Sequence, residues 1–598
     1  MKKIICLFVF TFTCTASTES KEQSASHYSI PVGFDQGIEE ALVKQSESYE
    51  AALRRRAKSI VAALPAEKKV GQLIHVGLAG QKAGASIEKV IRDYHVGGII
   101  LFQANIGKAA EVTALNSDLQ KMSLQHSQIP LLISVDQEGG RVFRVIDGAT
   151  DFPGMMALGQ TADEQLAYMT GFITGRQLAF LGFNFLFAPV LDVNNNPKNP
   201  VINTRSAGSQ PGPVASIGIA YMRGAIDSGS LPTIKHFPGH GNTDIDSHLA
   251  LPIVHRSKLE INEVELLPFR KAIEAKAPVV MVGHILFDQI DPDNPSTLSD
   301  TIVNQLLRTE MGFKGLTITD AMEMRAVSDR YAMGDAALKA VKAGIDIVLL
   351  TAQSDHIRQI YVRLNQAVKS KEIDESLIDA AVERQIYEKL KSTTGKLNWT
   401  GDEIVASKSA ADSQDIATDS ELIKSYSKLR LTQADAIATA LHSKFGDHPD
   451  EAVLDKAVRS LRQSFTGGLD VKNSFVFYRS RFVKEEALSL GLSADRVLPI
   501  ESLRQLWIRS DLAKYNGNWV VELNESDVAS WNALVRRNQN KTNRIIVGLL
   551  AGSPFLPFQV GERAYLLCSF SPQRKGLKYL MKHSLSADGV TAADLILN

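Results

Sequence analysis

One segment of the sequence, residues 235–252, concentrates side chains that could carry chemistry. It reads KHFPGHGNTDIDSHLALP and holds three histidines and two aspartates. The proline and glycines of its PGHG portion forbid a regular helix or strand, so we expect a long, mobile loop. Asp246 stands two residues before His248, and a carboxylate near an imidazole raises the pKa of that imidazole. Such a pair could donate and retrieve a proton near neutral pH.

Metal binding is an alternative use of the same side chains, because histidine and aspartate are both metal ligands. The segment has no H-x-x-x-H on a helix, because a proline and a glycine separate His236 from His240, and no cysteine is in reach. We therefore predict no metal and no cofactor. We expect the remaining histidine of the PGHG portion, His240, to shape the loop.

Charged and polar residues also follow several short apolar runs. They are Asp136, Arg144, Asp192, Arg205, Lys235, His236, His284 and Asp320. Charged groups at these positions cannot be core filler, so we expect them to line a polar cup. A cup of this kind suits a polyhydroxylated ligand, because hydroxyl groups need paired donors and acceptors. Two alternatives remain open: ion pairs that only stabilise this end of the fold, and a buried, hydrogen-bonded role for His284.

The elements that would position these residues are eight short apolar runs alternating with helical patterns. The runs cover 71–78, 96–102, 130–136, 184–193, 231–237, 279–285, 316–320 and 345–351. Near-continuous apolar strands between helices are typical of parallel strands covered on their outer face. Eight such units predict a (β/α)₈ TIM-type barrel, in which the active site lies at the carboxyl ends of the strands. An open doubly wound sheet is the alternative.

The composition changes after a helical pattern at 376–391. We assign residues 38–395 to the barrel domain and residues 396–425, rich in Ser, Thr, Asp and Gly, to a linker. Residues 426–598 predict a smaller α/β domain, a parallel sheet in an αβα sandwich. Its strand patterns lie at 474–478, 518–523, 544–549 and 564–569.

The N-terminus reads MKKIICLFVFTFTCTAS, a basic start followed by a short apolar run and small residues. This pattern predicts a signal peptide over residues 1–16 and a tether over 17–37, and hence export to the periplasm or the extracellular space. An uncleaved anchor is one alternative. Acylation of Cys14, which would tether the protein to a membrane, is another.

The bulk composition is that of an ordinary globular protein. The 598 residues include 66 Lys and Arg against 66 Asp and Glu, with 44% hydrophobic residues. These values exclude a disordered or fibrous chain and argue against nucleic acid as the main partner, which would favour a basic stripe. Two of the three cysteines lie in the signal region, so we expect no intramolecular disulfide in the mature chain.

Four segments resemble motifs of glycoside hydrolase family 3, in its β-N-acetylglucosaminidase branch. They are DQEGGRVFR (136–144), PVLDVNNNP (189–197), KHFPGHGNTDIDSH (235–248) and GLTITDAMEM (315–324), and they occur in the family's order. The closing segment 543–558 also resembles that of the two-domain members.

The resemblance implies a retaining glycosidase with Asp320 as the nucleophile and His248 as the acid/base, assisted by Asp246. The sugar-binding residues that it implies are Asp136, Arg144, Arg205, Lys235 and His236. The substrate would be terminal β-linked N-acetylglucosamine on peptidoglycan fragments or chitooligosaccharides.

Three other functions are alternatives to this expectation. A β-glucosidase or β-xylosidase of the same family is disfavoured, because those branches generally take their acid/base carboxylate from a later domain. An inactive sugar-binding protein is disfavoured because every catalytic position is occupied. A metal hydrolase would use the histidines and aspartates of segment 235–252, and activity that survives a chelator would count against it.

Overall fold

A computed structural model describes the chain over residues 36–247, 249–392, 399–406 and 413–445, and over five strands nearer the C-terminus. The predicted signal peptide, 1–16, and all but the last two residues of the predicted tether, 17–37, lie outside the described residues. His248 also lies outside them.

Eight parallel strands form a barrel. They are β1 (Ile74–Gly77), β2 (Gly98–Leu101), β3 (Leu132–Val135), β4 (Phe185–Leu186), β5 (Leu231–Phe237), β6 (Val279–Val282), β7 (Leu316–Thr319) and β8 (Val348–Leu349). Each strand pairs with the next, and β8 pairs with β1. A bridge between Ile318 and Ile347 joins β7 to β8 and closes the ring. The predicted (β/α)₈ barrel is confirmed, and the open doubly wound sheet is wrong.

The fourth strand is much shorter than its predicted span of 184–193. Regular pairing stops after Leu186, because Pro189 has no N–H to give to a ladder. Pairing with β5 resumes at a bridge between Val190 and Lys235, where the Leu191 N–H donates to the Lys235 carbonyl at 2.7 Å. The chain beyond β4 therefore stays attached to the barrel while it turns toward the site.

Helices surround the barrel between its strands. They are α1 (Gln36–Ala63), α2 (Ala66–Gln72), α3 (Ala85–Tyr94), α4 (Ala109–Ser127), α5 (Met155–Thr161), α6 (Glu164–Phe180), α7 (Pro211–Asp227), α8 (Lys258–Glu263), α9 (Leu266–Glu274), α10 (Arg325–Ser328), α11 (Met333–Lys342), α12 (His356–Lys369) and α13 (Glu375–Lys391). The helical pattern between the fifth and sixth apolar runs corresponds to two helices, α8 and α9. Pro268 lies in the first turn of α9, the part of a helix that tolerates proline.

The shorter elements lie in the loops between these helices and strands. They comprise 3₁₀ turns at Gln103–Asn105, Asn203–Arg205 and Ser296–Leu298, a π-helix at Thr301–Glu310, an antiparallel pair of Gln137–Gly139 with Val142–Phe143, and a parallel pair of Ile253–Val254 with Leu286–Phe287.

Apolar side chains fill the inside of the barrel below its carboxyl end. The cluster includes Ile100, Phe185, Phe187, Met281 and Ile318, all at most 3% exposed. Phe185 and Phe187 meet edge to face with ring centroids 4.9 Å apart, a preferred aromatic geometry. This packed interior gives the strand ends a rigid base, as an active site requires.

The segment predicted as a linker, 396–425, contains helix α14 (Asp402–Ala406) and the beginning of helix α15 (Ser413–Phe445). Helix α15 packs against α1 and α7: Arg55 pairs with Asp419 at 2.6 Å, and Ile437 and Leu441 are buried. The polar composition of the segment concealed its own buried apolar residues, which are Ile404, Val405 and Ile423.

Five parallel strands form the sheet of the C-terminal part. They are β9 (Ser474–Tyr478), β10 (Val497–Pro499), β11 (Asn518–Leu523), β12 (Ile546–Leu550) and β13 (Ala564–Cys568), in the order β10-β9-β11-β12-β13. The parallel α/β prediction is confirmed. Strand β10 was missed because it is three residues long and ends in proline. No helix in the part of the chain that the structure describes is both long and apolar enough to cross a bilayer.

Candidate active site

Four charged side chains meet at the carboxyl end of the barrel and are called here the charge quartet: Asp136, Glu138, Arg205 and Lys235. The Nζ of Lys235 donates to Asp136 Oδ1 at 2.6 Å and lies 2.7 Å from Glu138 Oε1. Burial acts to lower the pKa of Lys235, but Asp136 and Glu138 reverse the effect and raise it. Lys235 therefore remains a cation although only 1% of its side chain is exposed.

Glu138 is the member of the quartet that the sequence did not identify as a site residue. Its carboxylate accepts two bonds from Arg205, from Nη2 at 2.8 Å and from Nε at 2.9 Å. Burial acts to raise the pKa of Glu138, but Arg205 and Lys235 lower it far below its usual range. One buried carboxylate thus holds two cations in fixed positions. The only sequence signal was an acidic residue close to the end of β3, and its two partners are remote in the chain.

Asp192 anchors the loop that follows β5. It is fully buried and accepts from the His236 ring Nδ1 at 2.7 Å, from the His236 N–H at 3.1 Å and from the His240 N–H at 2.6 Å. Burial acts to raise the pKa of Asp192, whereas His236 and His240 lower it. The Nε2 of His236 lies 3.3 Å from Arg205 Nη2, which joins this anchor to the charge quartet.

Asp320 is the first residue after β7. Its N–H donates to the Val282 carbonyl at 2.9 Å, and its Oδ1 accepts from the Ala321 N–H at 2.8 Å. Burial acts to raise the pKa of Asp320, but His236, His284, the Ala321 N–H and Lys235 together lower it to about 2. The carboxylate is therefore ionised at neutral pH and rigidly held, as a nucleophile requires.

The sequence left two roles open for His284, a place in the polar cup and a buried, hydrogen-bonded position. The structure shows His284 in the buried, hydrogen-bonded position. It is 0% exposed, and its Nε2 donates to the Ala321 carbonyl at 2.9 Å. A carbonyl can only accept, so Nε2 carries a proton, and Nδ1 lies 2.7 Å from the Thr297 hydroxyl. Both ring nitrogens are engaged within the protein. His284 therefore supports the peptide beside Asp320 instead of contacting a substrate.

Arg144 lies beside the quartet, because its backbone N–H donates at 2.9 Å to the side chain of Gln137, the residue after Asp136. The Nε of Arg144 is buried and has no hydrogen-bond partner within the described part of the chain. An unused buried donor is costly unless a ligand or water satisfies it. The role of Arg144 in sugar binding stays a prediction.

The base of the loop after β5 is packed tightly against the β4–α7 connection at Val193. A Cβ on Gly241 would lie 1.7 Å from the Val193 carbonyl oxygen, so only glycine fits at this position. Two asparagines of the β4–α7 connection hold the loop from the other side. Asn199 Nδ2 donates to the His240 carbonyl at 2.8 Å, and Asn196 Nδ2 to the Thr243 carbonyl at 3.3 Å. The asparagines after β4 therefore clamp the loop base.

The outer part of the same loop carries the predicted proton donor. The Asp246 carbonyl accepts from the N–H groups of Leu249 and Ala250 at 2.9 and 3.1 Å, which closes a turn. Asp246 itself is half-buried, and Ile245 and Leu249 are exposed. His248 lies outside the described residues, so its role as acid/base stays a prediction. Among the residues that the structure describes, no group of three or more metal-binding side chains is suitably placed for an ion.

Comparisons with known proteins identify the class of the molecule. The model of the glycosyl hydrolase family 3 N terminal domain matches residues 66–387. The barrel is therefore the N-terminal domain of this family. The chain belongs to glycosyl hydrolase family 3.

Two curated relatives and one solved structure are similar to this chain. Beta-hexosaminidase A of Pseudoalteromonas piscicida is 37% identical over 321 residues, 50% of this chain and 54% of that protein. Beta-hexosaminidase LpqI of Mycobacterium tuberculosis is 36% identical over 337 residues, 54% of this chain and 83% of that protein. The chain thus spans about half the length of the first relative. A family 3 beta-N-acetylglucosaminidase from Paenibacillus sp. superimposes with a TM-score of 0.69 at 29% identity, covering 90% of this chain and 100% of that one.

Proposed function

We propose that this protein is a retaining exo-β-N-acetylglucosaminidase, which removes terminal β-linked N-acetylglucosamine from the non-reducing end of a glycan. The observation that carries the proposal is the state of Asp320, a carboxylate fixed at the end of β7 and kept ionised by His236 and Lys235. The names of the similar proteins support the choice of sugar.

The reaction would proceed in two displacements. Asp320 attacks the anomeric carbon while His248, assisted by Asp246, protonates the departing oxygen. Water then attacks the glycosyl-enzyme bond as His248 removes its proton, and the configuration of the sugar is retained. The low pKa of Asp320 suits both steps, because a weakly basic carboxylate is ionised for attack and leaves readily afterwards.

The charge quartet is suited to an uncharged ligand. Its two carboxylates balance its two cations, so the site offers strong donors and acceptors with no net charge. Asp136, whose side chain is 19% exposed, would accept from sugar hydroxyls by charge-assisted hydrogen bonds. Arg144, Arg205, Lys235 and His236 complete the proposed sugar-binding set.

The natural substrate and the location of the protein are parts of the same proposal. Peptidoglycan fragments and chitooligosaccharides both end in the required sugar. The N-terminal segment 1–16 supports export to the periplasm or the extracellular space, with a membrane tether if Cys14 is acylated.

The test is an assay of residues 17–598 with p-nitrophenyl β-glycosides of N-acetylglucosamine, glucose and xylose, with EDTA present. We expect a strong preference for the N-acetylglucosaminide and a loss of several orders of magnitude in Asp320→Ala, which removes the nucleophile. Asp118→Ala, on an exposed face of α4, is the matched control and should leave the rate unchanged. ¹H NMR of the first product should show the β-anomer. A preference for glucoside or xyloside, or an α-anomer, would refute the proposal.

A further inference from the structure

Ser247 has an unusual position at the outer end of the loop after β5. Among the described residues 244–247 and 249–250, it alone is buried, with 1% exposure. Ile245 and Leu249, on either side of it, are 41% and 65% exposed. A small polar residue that points inward from an otherwise exposed turn implies a specific partner.

The partner of Ser247 is the buried ring of His240, whose Nε2 lies 3.0 Å from Ser247 Oγ. The direction of this bond follows from the other side of the ring. Thr243 Oγ1 donates to the His240 carbonyl at 3.1 Å, so it must accept from His240 Nδ1 at 2.9 Å. Nε2 then carries no proton and accepts from the Ser247 hydroxyl.

His240 belongs to the rigid base of the loop. Its N–H is bound by Asp192 and its carbonyl by Asn199, and its side chain is 1% exposed. The bond from Ser247 therefore connects the exposed turn, which is closed by Asp246, to a fixed point on the barrel. Within the described residues 244–250 the structure contains no other buried anchor of this kind.

We propose that the Ser247–His240 hydrogen bond is a latch that positions the loop turn, and with it the acid/base of the reaction, relative to Asp320. Ser247 and His240 are then positioning residues, which act through Asp246 and the adjacent His248. The inference rests on the proposed glycosidase function and adds two residues to its machinery.

Three variants separate the latch from the general packing of the loop. Ser247→Ala removes the donor. His240→Gln places an amide oxygen near the position of Nε2 and keeps an acceptor for Ser247. His240→Asn places its amide near the position of Nδ1, so it keeps the contact with Thr243 and loses the latch. His240→Gln and His240→Asn both carry a side-chain amide. The first keeps the contact with Ser247, and the second keeps the contact with Thr243.

The first readout is kcat/KM with leaving groups of different acidity. A 2,4-dinitrophenyl group departs without protonation, whereas a phenyl group needs a positioned acid. A general acid contributes about 10²–10⁴-fold, so misplacing one should cost about 10–100-fold. We expect this loss of kcat/KM in Ser247→Ala and His240→Asn with the phenyl glycoside. With the dinitrophenyl glycoside the same two variants should lose less than about 3-fold. His240→Gln should have near-normal rates with both substrates.

The second readout is hydrogen exchange of the loop amides in the full chain, which requires no activity. Faster exchange at residues 244–250 in Ser247→Ala and His240→Asn, with unchanged exchange in β5, supports the latch. Unchanged exchange overturns it. If exchange is faster but kcat/KM falls equally for the phenyl and the dinitrophenyl glycosides, the claim that the latch positions the acid is wrong. If the wild-type protein hydrolyses no N-acetylglucosaminide, the proposed function fails, whereas the exchange data still decide whether Ser247 anchors the turn.

Discussion

Lys235 and Glu138 form an ion pair that almost no solvent reaches, with Nζ 2.7 Å from Oε1 and side-chain exposures of 1% and 2%. Neither charge could be buried alone, because the loss of hydration costs several kcal/mol for each ion. Arg205 contributes the second cation to Glu138, and Asp136 contributes the second anion to Lys235. The proposed sugar site is therefore held in place by charges that satisfy one another before any ligand binds.

Replacing Glu138 by glutamine should damage both stability and activity. The change leaves Lys235 and Arg205 without their shared carboxylate, and breaking a buried pair costs about 3–5 kcal/mol. We expect a fall of that order in the free energy of unfolding, measured with urea, and a loss of about 10–100-fold in kcat/KM. Glu310→Gln is the control, because the Lys258–Glu310 pair is about half exposed and contributes about 1 kcal/mol or less. Equal effects in the two variants would contradict the buried-pair argument.

In the wild-type protein, protonation of Asp320 should cause no fall in kcat/KM above about pH 3, so the pH profile should have no acidic limb from this residue. The pKa of Asp320 is lowered to about 2, in part by His236 and Lys235, so the nucleophile stays ionised throughout the usual range. Among the groups that lower this pKa His236 has the largest effect, so its removal should raise the pKa of Asp320. We therefore expect an acidic limb to move upward in His236→Asn when kcat/KM is followed from pH 3 to 8. A profile with an unchanged acidic limb would mean that His236 does not act on Asp320.

His240 should make the protein less stable in mild acid. Its folded pKa is lowered to about 4, mainly by burial, against about 6.5 for an unfolded histidine. Between these values the unfolded chain binds more protons, so the free energy of unfolding falls as the pH decreases from about 6.5 toward 4. His75 is also buried with a lowered pKa and adds to the effect, so the comparison must be between wild type and His240→Gln. The variant should lose less stability between pH 7 and 5 when both are unfolded with urea.

The sequence predicted the barrel because each strand is a separate apolar run, and it predicted Asp136, Lys235 and Asp320 because the end of a barrel strand marks a functional position. It did not reveal Glu138, whose role depends on partners contributed by distant strands. The same holds for Ser247, because its burial depends on how the loop turns and not on its neighbours in the chain. Side chains that act through long-range pairs are the part of a site that a local pattern leaves unassigned.

A methyl group at Gly241 should disable the loop while leaving the barrel folded. The Cβ of Gly241→Ala would lie 1.7 Å from the Val193 carbonyl oxygen, so the loop base must shift away from the β4–α7 connection. Because the predicted acid/base lies on this loop, we expect kcat/KM for the phenyl glycoside to fall by about 100-fold or more. Gly212→Ala is the matched control, since nothing lies within 4 Å of its added carbon and it begins helix α7, where alanine is favourable. Circular dichroism should show the same helix content in both variants. Normal activity in Gly241→Ala would indicate that the loop base tolerates displacement, and the rigid anchor assigned to His240 and Asp192 would then be wrong.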